Sequence, residues 1–167
     1  QDAKVQKQTV VLRLDLNIPY ANGKSNDISR IEKTRETIGY LVENANKVVI
    51  LSHFGRPDGR KNKDLSLKKL LRYLQDTINV EIQFLPSLDI ERCRKAIQSA
   101  SFPSVFLLEN LRFSRLEESN DPDFSYKLAS LGDIYCNDAF SVSHRAHAST
   151  QGITNYLTSF AGFLVQR

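Results

Sequence analysis

KVVILSHFGRP, residues 47–57, is an apolar run that stops abruptly in polar and turn-forming residues. Val48, Val49, Ile50 and Leu51 do not alternate with polar residues, so the strand they form is covered on both faces. His53 closes it. Gly55 then permits close backbone approach and Pro57 stiffens the turn. A strand buried on both sides needs helices above and below it, and the flanking sequence supplies them. Before it, Ile31, Ile38, Leu41, Val42 and Ala45 recur at helical spacing across residues 28–45, and residues 10–16 form a first strand rich in Val and Leu. After it, Ser66 is placed to cap a helix whose Leu67, Leu70, Leu71, Leu74 and Ile78 make one apolar stripe. Residues 80–85 read as a third strand, 90–100 as a helix and 105–108 as a buried fourth strand. Asp121 and Pro122 mark an N-cap and a first helical residue, Gly132 the end of that helix, and residues 134–136 a fifth strand. This alternation predicts the fold class α/β: a doubly wound, mostly parallel sheet with helices on both faces, in three α/β/α layers with right-handed crossovers.

The chain has 167 residues, 41% hydrophobic and 25% charged, enough for one domain with a sizeable core. No internal repeat or low-complexity linker divides it. It holds no methionine, and its last apolar run, 160–165, stops two residues before the terminus, which reads as a piece of a longer protein. No apolar stretch approaches the length of a membrane span and the N-terminus lacks a signal-peptide core, so a soluble, cytoplasmic protein is expected, with no membrane partner. Cys93 and Cys136 lie in separate elements without ligand spacing; they read as buried thiols, and no metal site is expected. The net charge of +4 is modest. A basic tract at 56–63 lacks interleaved aromatics, so it suits an anion-facing loop at least as well as a nucleic-acid surface.

In an open parallel sheet the ligand crevice lies outside the carboxyl ends of the strands. Here those ends are polar and cationic: Asp15 and Asn17 after the first strand, His53 and Arg56 after the second, Glu109, Asn110 and Arg112 after the fourth, and Asp138, His144, Arg145 and His147 after the fifth. The segment after the third strand, residues 86–89, carries no such cluster and predicts a strand placed away from the crevice. Bland readings stand beside these. Arg13, Asp15 and Asn17 share one face of their strand and would also fit an exposed edge. Arg30, at the start of a helix, fits a solvated first-turn arginine unless an anion sits nearby. Glu109 reads as a support for Arg112 or for a loop amide. His144 and His147 lack acidic or cysteine partners at helical spacing, and Arg145 between them favours an anion over a metal. Arginines from several loops pair best with a small acid carrying more than one phosphate or carboxylate group. Neither G-x-G-x-x-G nor G-x-x-x-x-G-K-[ST] occurs in the chain.

These segments resemble the phosphoglycerate kinase family. LRLDLNIP at 12–19 is similar to the family's V-R-V-D-F-N-V-P, SHFGRP at 52–57 to its S-H-L-G-R-P, and LLENLRF at 107–113 to a segment of the same wording. LASLGDIYCNDAF at 128–140, HRAHAST at 144–150 and AGFL at 161–164 continue the resemblance in order. It implies that residues 1–167 are an N-terminal domain binding 3-phosphoglycerate or 1,3-bisphosphoglycerate, in the reversible glycolytic transfer of a phosphoryl group to or from ADP and ATP. It implies a C-terminal domain, absent from this chain, that holds the Mg2+ nucleotide, so that no cofactor is bound here and the chain alone is inactive or nearly so. By position, Asp15, Asn17, Arg30, His53, Arg56, Arg112 and Arg145 are implied to bind the triose acid, with Arg13 and His144 in the outer part of the basic patch. Arg30 is further implied to be catalytic, stabilising charge on the transferring phosphoryl group. A monomer is expected. The sequence departs from the family at Ser141, where glycine is usual, which leaves the freedom of that loop in question. Two readings from other classes remain: a free-standing anion- or nucleic-acid-binding module, and a different α/β enzyme acting on sugar phosphates. A steep salt slope would mark the first, and turnover without a second domain the other.

Overall fold

In the computed structural model, which describes residues 4–101 and 104–166, the strands are β1 (Thr9–Leu14), β2 (Lys47–Leu51), β3 (Ile82–Leu85), β4 (Ser104–Leu108), β5 (Ile134–Asp138) and β6 (Ser159–Ala161). They make one sheet in the order β3-β4-β2-β1-β5-β6, and every pairing is parallel. Successive strand residues point to opposite faces, and here both directions are apolar. Val10, Leu12, Val48, Ile50, Val105 and Leu107 pack into one core, and Val11, Val49, Leu51, Phe106 and Leu108 into the other. The helices are α1 (Ser29–Glu32), α2 (Arg35–Asn44), α3 (Leu71–Ile78), α4 (Ile90–Ser99), α5 (Arg115–Glu118), α6 (Pro122–Ala129) and α7 (Phe163–Gln166). Ile31, Ile38, Leu41 and Leu74 bring α1, α2 and α3 onto the first core. Ile90, Cys93, Ile97, Phe124 and Leu128 bring α4 and α6 onto the second. The predicted three-layer α/β/α arrangement is thus observed.

Local signals explain most boundaries. Ser66 accepts from the Lys68 amide and opens the 3-10 turn Leu67–Leu70, which leads into α3. Asp121 accepts from the Phe124 amide at 2.8 Å ahead of Pro122, the cap and first residue expected of α6. Three expectations need correction. The helix read across 28–45 is broken between α1 and α2, because buried Thr34 turns its Oγ1 back to the Ile31 carbonyl at 2.7 Å. β1 ends at Leu14 and not at Leu16: Ser52 Oγ donates to the Leu14 carbonyl at 2.8 Å and accepts from the Leu16 amide at 3.1 Å, replacing the ladder. Gly132 does not end α6, whose last residue is Ala129. A Cβ on Gly132 would stand 2.7 Å from the Thr9 carbonyl oxygen and 2.8 Å from Val11 Cγ2, so glycine there serves close approach to β1. β6, three residues without a β-branched side chain, carried no signal.

Both cysteines are buried, as read from sequence. Burial pushes the Cys93 thiol up to about 11 and the Cys136 thiol up to about 12. From β1 the chain crosses to β2 on one side, whereas from β5 it crosses to β6 on the other, so the winding reverses between β1 and β5. A crevice opens at the carboxyl end of such a reversal.

Candidate functional site

β4, β2, β1 and β5 are consecutive in the sheet, and theirs are the four carboxyl ends rich in polar residues. β3 is an edge strand, in agreement with its featureless exit. β1 is central, which removes exposed-edge placement as an account of Arg13, Asp15 and Asn17. Arg13 is 1% exposed and lies under the crevice, not in its outer part. Its Nε donates to Ser149 Oγ at 2.8 Å, its Nη1 to the Leu14 carbonyl, and its Nη2 meets His53 Nδ1 at 3.0 Å. Ser149 Oγ in turn donates to Glu117 Oε1 at 2.5 Å.

Asp15 organises the β1 side. Its Oδ1 accepts from the Asn17 amide at 3.0 Å, and its Oδ2 takes Arg30 Nη1 at 2.5 Å together with Ser141 Oγ from the loop after β5. Arg30 keeps 46% of its side chain exposed while paired to this carboxylate, so it faces both Asp15 and solvent. Asp27, two residues before the short α1 that presents Arg30, accepts from the Ser29 amide at 3.0 Å; hydrogen bonding from Ser29 holds the Asp27 carboxyl below its usual range. Asn17 Oδ1 accepts from the Gly55 amide at 2.9 Å, tying the β1 and β2 loops together. Gly55 has φ +63°, and a Cβ there would meet Leu65 Cδ2 at 2.6 Å. Its carbonyl accepts from Arg112 Nη1 at 3.0 Å. Glu109 takes Ser66 Oγ at 2.7 Å and the Leu67 and Asn110 amides at 3.0 and 2.8 Å, so it supports loop amides and not Arg112, which pairs with Glu118 at 3.5 Å. Arg56, His144 and Arg145 are exposed on their loops. Ser141 sits inside the 3-10 turn Phe140–Val142, a right-handed conformation open to any residue, so it needs no glycine.

The electrostatics show which of these groups converge. His53, 3% exposed, is pushed down to about 2, first by burial and then by Arg13, Arg112, His147 and Arg145. His147 is lowered by burial and by Arg112, Arg13 and Arg145, against Glu118. Burial also lowers Arg112, Arg145 and Arg13 add to that, and Glu118 and Glu117 oppose it. Cations from β1, from the end of β4 and from the loop after β5 therefore converge on the neutral His53 at the end of β2, a field that favours an anion in the crevice. The sequence marks His147 only by its position after the fifth strand; the folded loop brings it among these arginines. Glu117 and Ser149 gave no signal in sequence. Among the described residues, no group of three or more His, Cys, Asp and Glu is placed to hold a metal ion. No helix among them is long and apolar enough to cross a membrane.

Fold and cluster together make this a parallel α/β domain whose central strands end in a basic crevice shaped by loops. A family model described as phosphoglycerate kinase matches residues 1–167, and the chain belongs to that family. Among curated relatives, the phosphoglycerate kinases of the Brugia malayi Wolbachia and of Coprothermobacter proteolyticus are 45% and 44% identical over 99% and 100% of this chain. The chain spans only 41% and 43% of their lengths. The solved phosphoglycerate kinases of Coxiella burnetii and Pyrococcus horikoshii superpose with TM-scores of 0.86 and 0.87 at 32% and 30% identity. Those matches cover 99% and 98% of this chain and 41% and 42% of theirs.

Proposed function

We propose that residues 1–167 are the acid-substrate half of a phosphoglycerate kinase, binding 3-phosphoglycerate or 1,3-bisphosphoglycerate in the basic crevice. The convergence of Arg13, Arg112, Arg145 and His147 around His53 carries this reading. Arg56, Arg112, Arg145 and His53 would take the phosphate end of the acid, with His144 at the rim, while Asp15, Asn17 and Arg30 hold the end that accepts the phosphoryl group. Arg30 would act as the catalytic cation: paired to Asp15 yet open to solvent, it is placed to stabilise charge on the transferring group. Arg13 supports from beneath.

Neither the described residues, by a group of three or more His, Cys, Asp and Glu, nor the sequence, by a phosphate-cradling glycine motif, marks a site for a Mg2+ nucleotide. The nucleotide would be held by the part of the relatives' length that this chain does not span. A monomeric cytoplasmic protein without nucleic-acid or membrane partners accords with this role. Calorimetric titration of the chain with 3-phosphoglycerate, at two salt concentrations and beside single-stranded DNA, tests it. One saturating site for the acid and none for DNA is expected; steeply salt-dependent DNA binding without saturation by the acid would overturn it.

A further inference from the structure

Beneath the crevice lies a closed polar chain that no bound acid would touch directly. Glu117, 0% exposed, accepts from Ser149 twice, at 2.5 Å from the hydroxyl and 3.0 Å from the amide, and its carbonyl accepts from the Ala148 amide at 2.9 Å. Tyr135 donates its hydroxyl to the Ser149 carbonyl at 2.7 Å. Ser149 is thereby fixed, and its Oγ accepts from Arg13 Nε at 2.8 Å. With Nε held there and Nη1 on the Leu14 carbonyl, Arg13 presents Nη2 to His53 Nδ1 at 3.0 Å. A guanidinium has five donors and no acceptor. The His53 nitrogen it meets must therefore offer a lone pair, and the ring's proton must sit on Nε2.

We infer that Glu117 and Ser149 are positioning residues which, through Arg13, lock His53 as the neutral Nε2–H tautomer. The groups facing His53 agree with this: Arg13 on β1, Arg112 after β4, and Arg145 and His147 after β5 all disfavour a second proton. His53 then serves as a hydrogen-bond donor of constant charge, the arginines alone supplying the positive field. That the donor meets a phosphate or carboxylate oxygen rests on the function proposed above; the tautomer itself does not. Ser149 also lies close in sequence to Arg145 and His147, so the same anchor sets the foot of their loop.

The test is imidazole 15N NMR of the free chain, which judges the network without any ligand. The expected spectrum shows His53 as a single Nε2–H tautomer that takes up no proton between pH 7.5 and about 5. Ser149→Ala should mix the tautomers and bring proton uptake into that range, and Ser149→Thr should restore the original pattern. Glu117→Gln, which keeps an acceptor for the Ser149 amide, is the second variant should Ser149→Ala not fold. A proton on Nδ1 in the unaltered chain, titration near the ordinary value of about 6.5, or an unchanged His53 in a folded variant would each overturn the inference. Failure of 3-phosphoglycerate to bind, with the tautomer as expected, would overturn the proposed function and leave the network standing.

Discussion

Arg13 and Arg145 serve one crevice from opposite conditions: Arg13 is buried with each guanidinium nitrogen held inside the protein, whereas Arg145 stands exposed on the loop after β5. Arg112 belongs with the first, bonded to the Gly55 carbonyl and Glu118; Arg56 belongs with the second. The inner cations are fixed before any ligand arrives and set the field, at the cost of burying charge. The outer cations contribute little to stability and are free to wrap an anion. Stability and binding should therefore separate along this division.

The largest expected effect is on the inner side. Arg13→Ala removes the counter-charge of buried Glu117 and should lower the unfolding free energy by about 3–5 kcal/mol, against less than about 0.5 kcal/mol for Arg145→Ala, both read by urea denaturation. Binding should reverse the order of cost. Arg56→Ala and Arg145→Ala should each weaken 3-phosphoglycerate binding by about 1.5–3 kcal/mol, the worth of a charged hydrogen bond, with an unchanged melting temperature. Equal losses of stability and affinity in both groups would break the comparison.

pH sharpens it. His53 binds a proton less readily in the folded chain than in the unfolded one, so the unfolded state is protonated first as pH falls through about 6.5. Its contribution to stability is complete above that pH and is lost below it, by up to about 1.4 kcal/mol per pH unit. Urea midpoints from pH 7.5 to 4.5 should show this slope, and His53→Gln should flatten it. The smallest effect belongs to Ser141→Gly, which removes one donor from Asp15 while the Arg30 pair remains; it should change unfolding by less than about 0.5 kcal/mol.

Residue type explains what was legible in sequence. Val48, Val49, Ile50 and Leu51 announce a strand covered on both faces, and four such runs, each followed by polar residues, locate the crevice without coordinates. The buried layer was not legible. Glu117 lies in α5, whose residues RLEE read as a solvated charged turn, and nothing local distinguishes Ser149 from other loop serines. Their pairing joins residues 32 positions apart and Arg13 lies 136 from Ser149, so only tertiary packing reveals it. Arg13 was misplaced in the outer patch for the same reason: its strand position gives its face but not its depth. The break at Thr34 and the role of Gly132 were not legible because helical periodicity says nothing of a side chain turned back on a carbonyl, or of a backbone brought against a neighbouring strand.

One small polyanion should bridge the fixed inner cations and the free outer ones. Amide NMR of the chain titrated with 3-phosphoglycerate, then with Mg2+-ADP, tests it most directly. Saturable shifts confined to the segments around Asp15, Arg30, His53, Arg56, Arg112 and Arg145, with little response to the nucleotide, are predicted. Scattered, salt-sensitive shifts, or a response to the nucleotide alone, would contradict it.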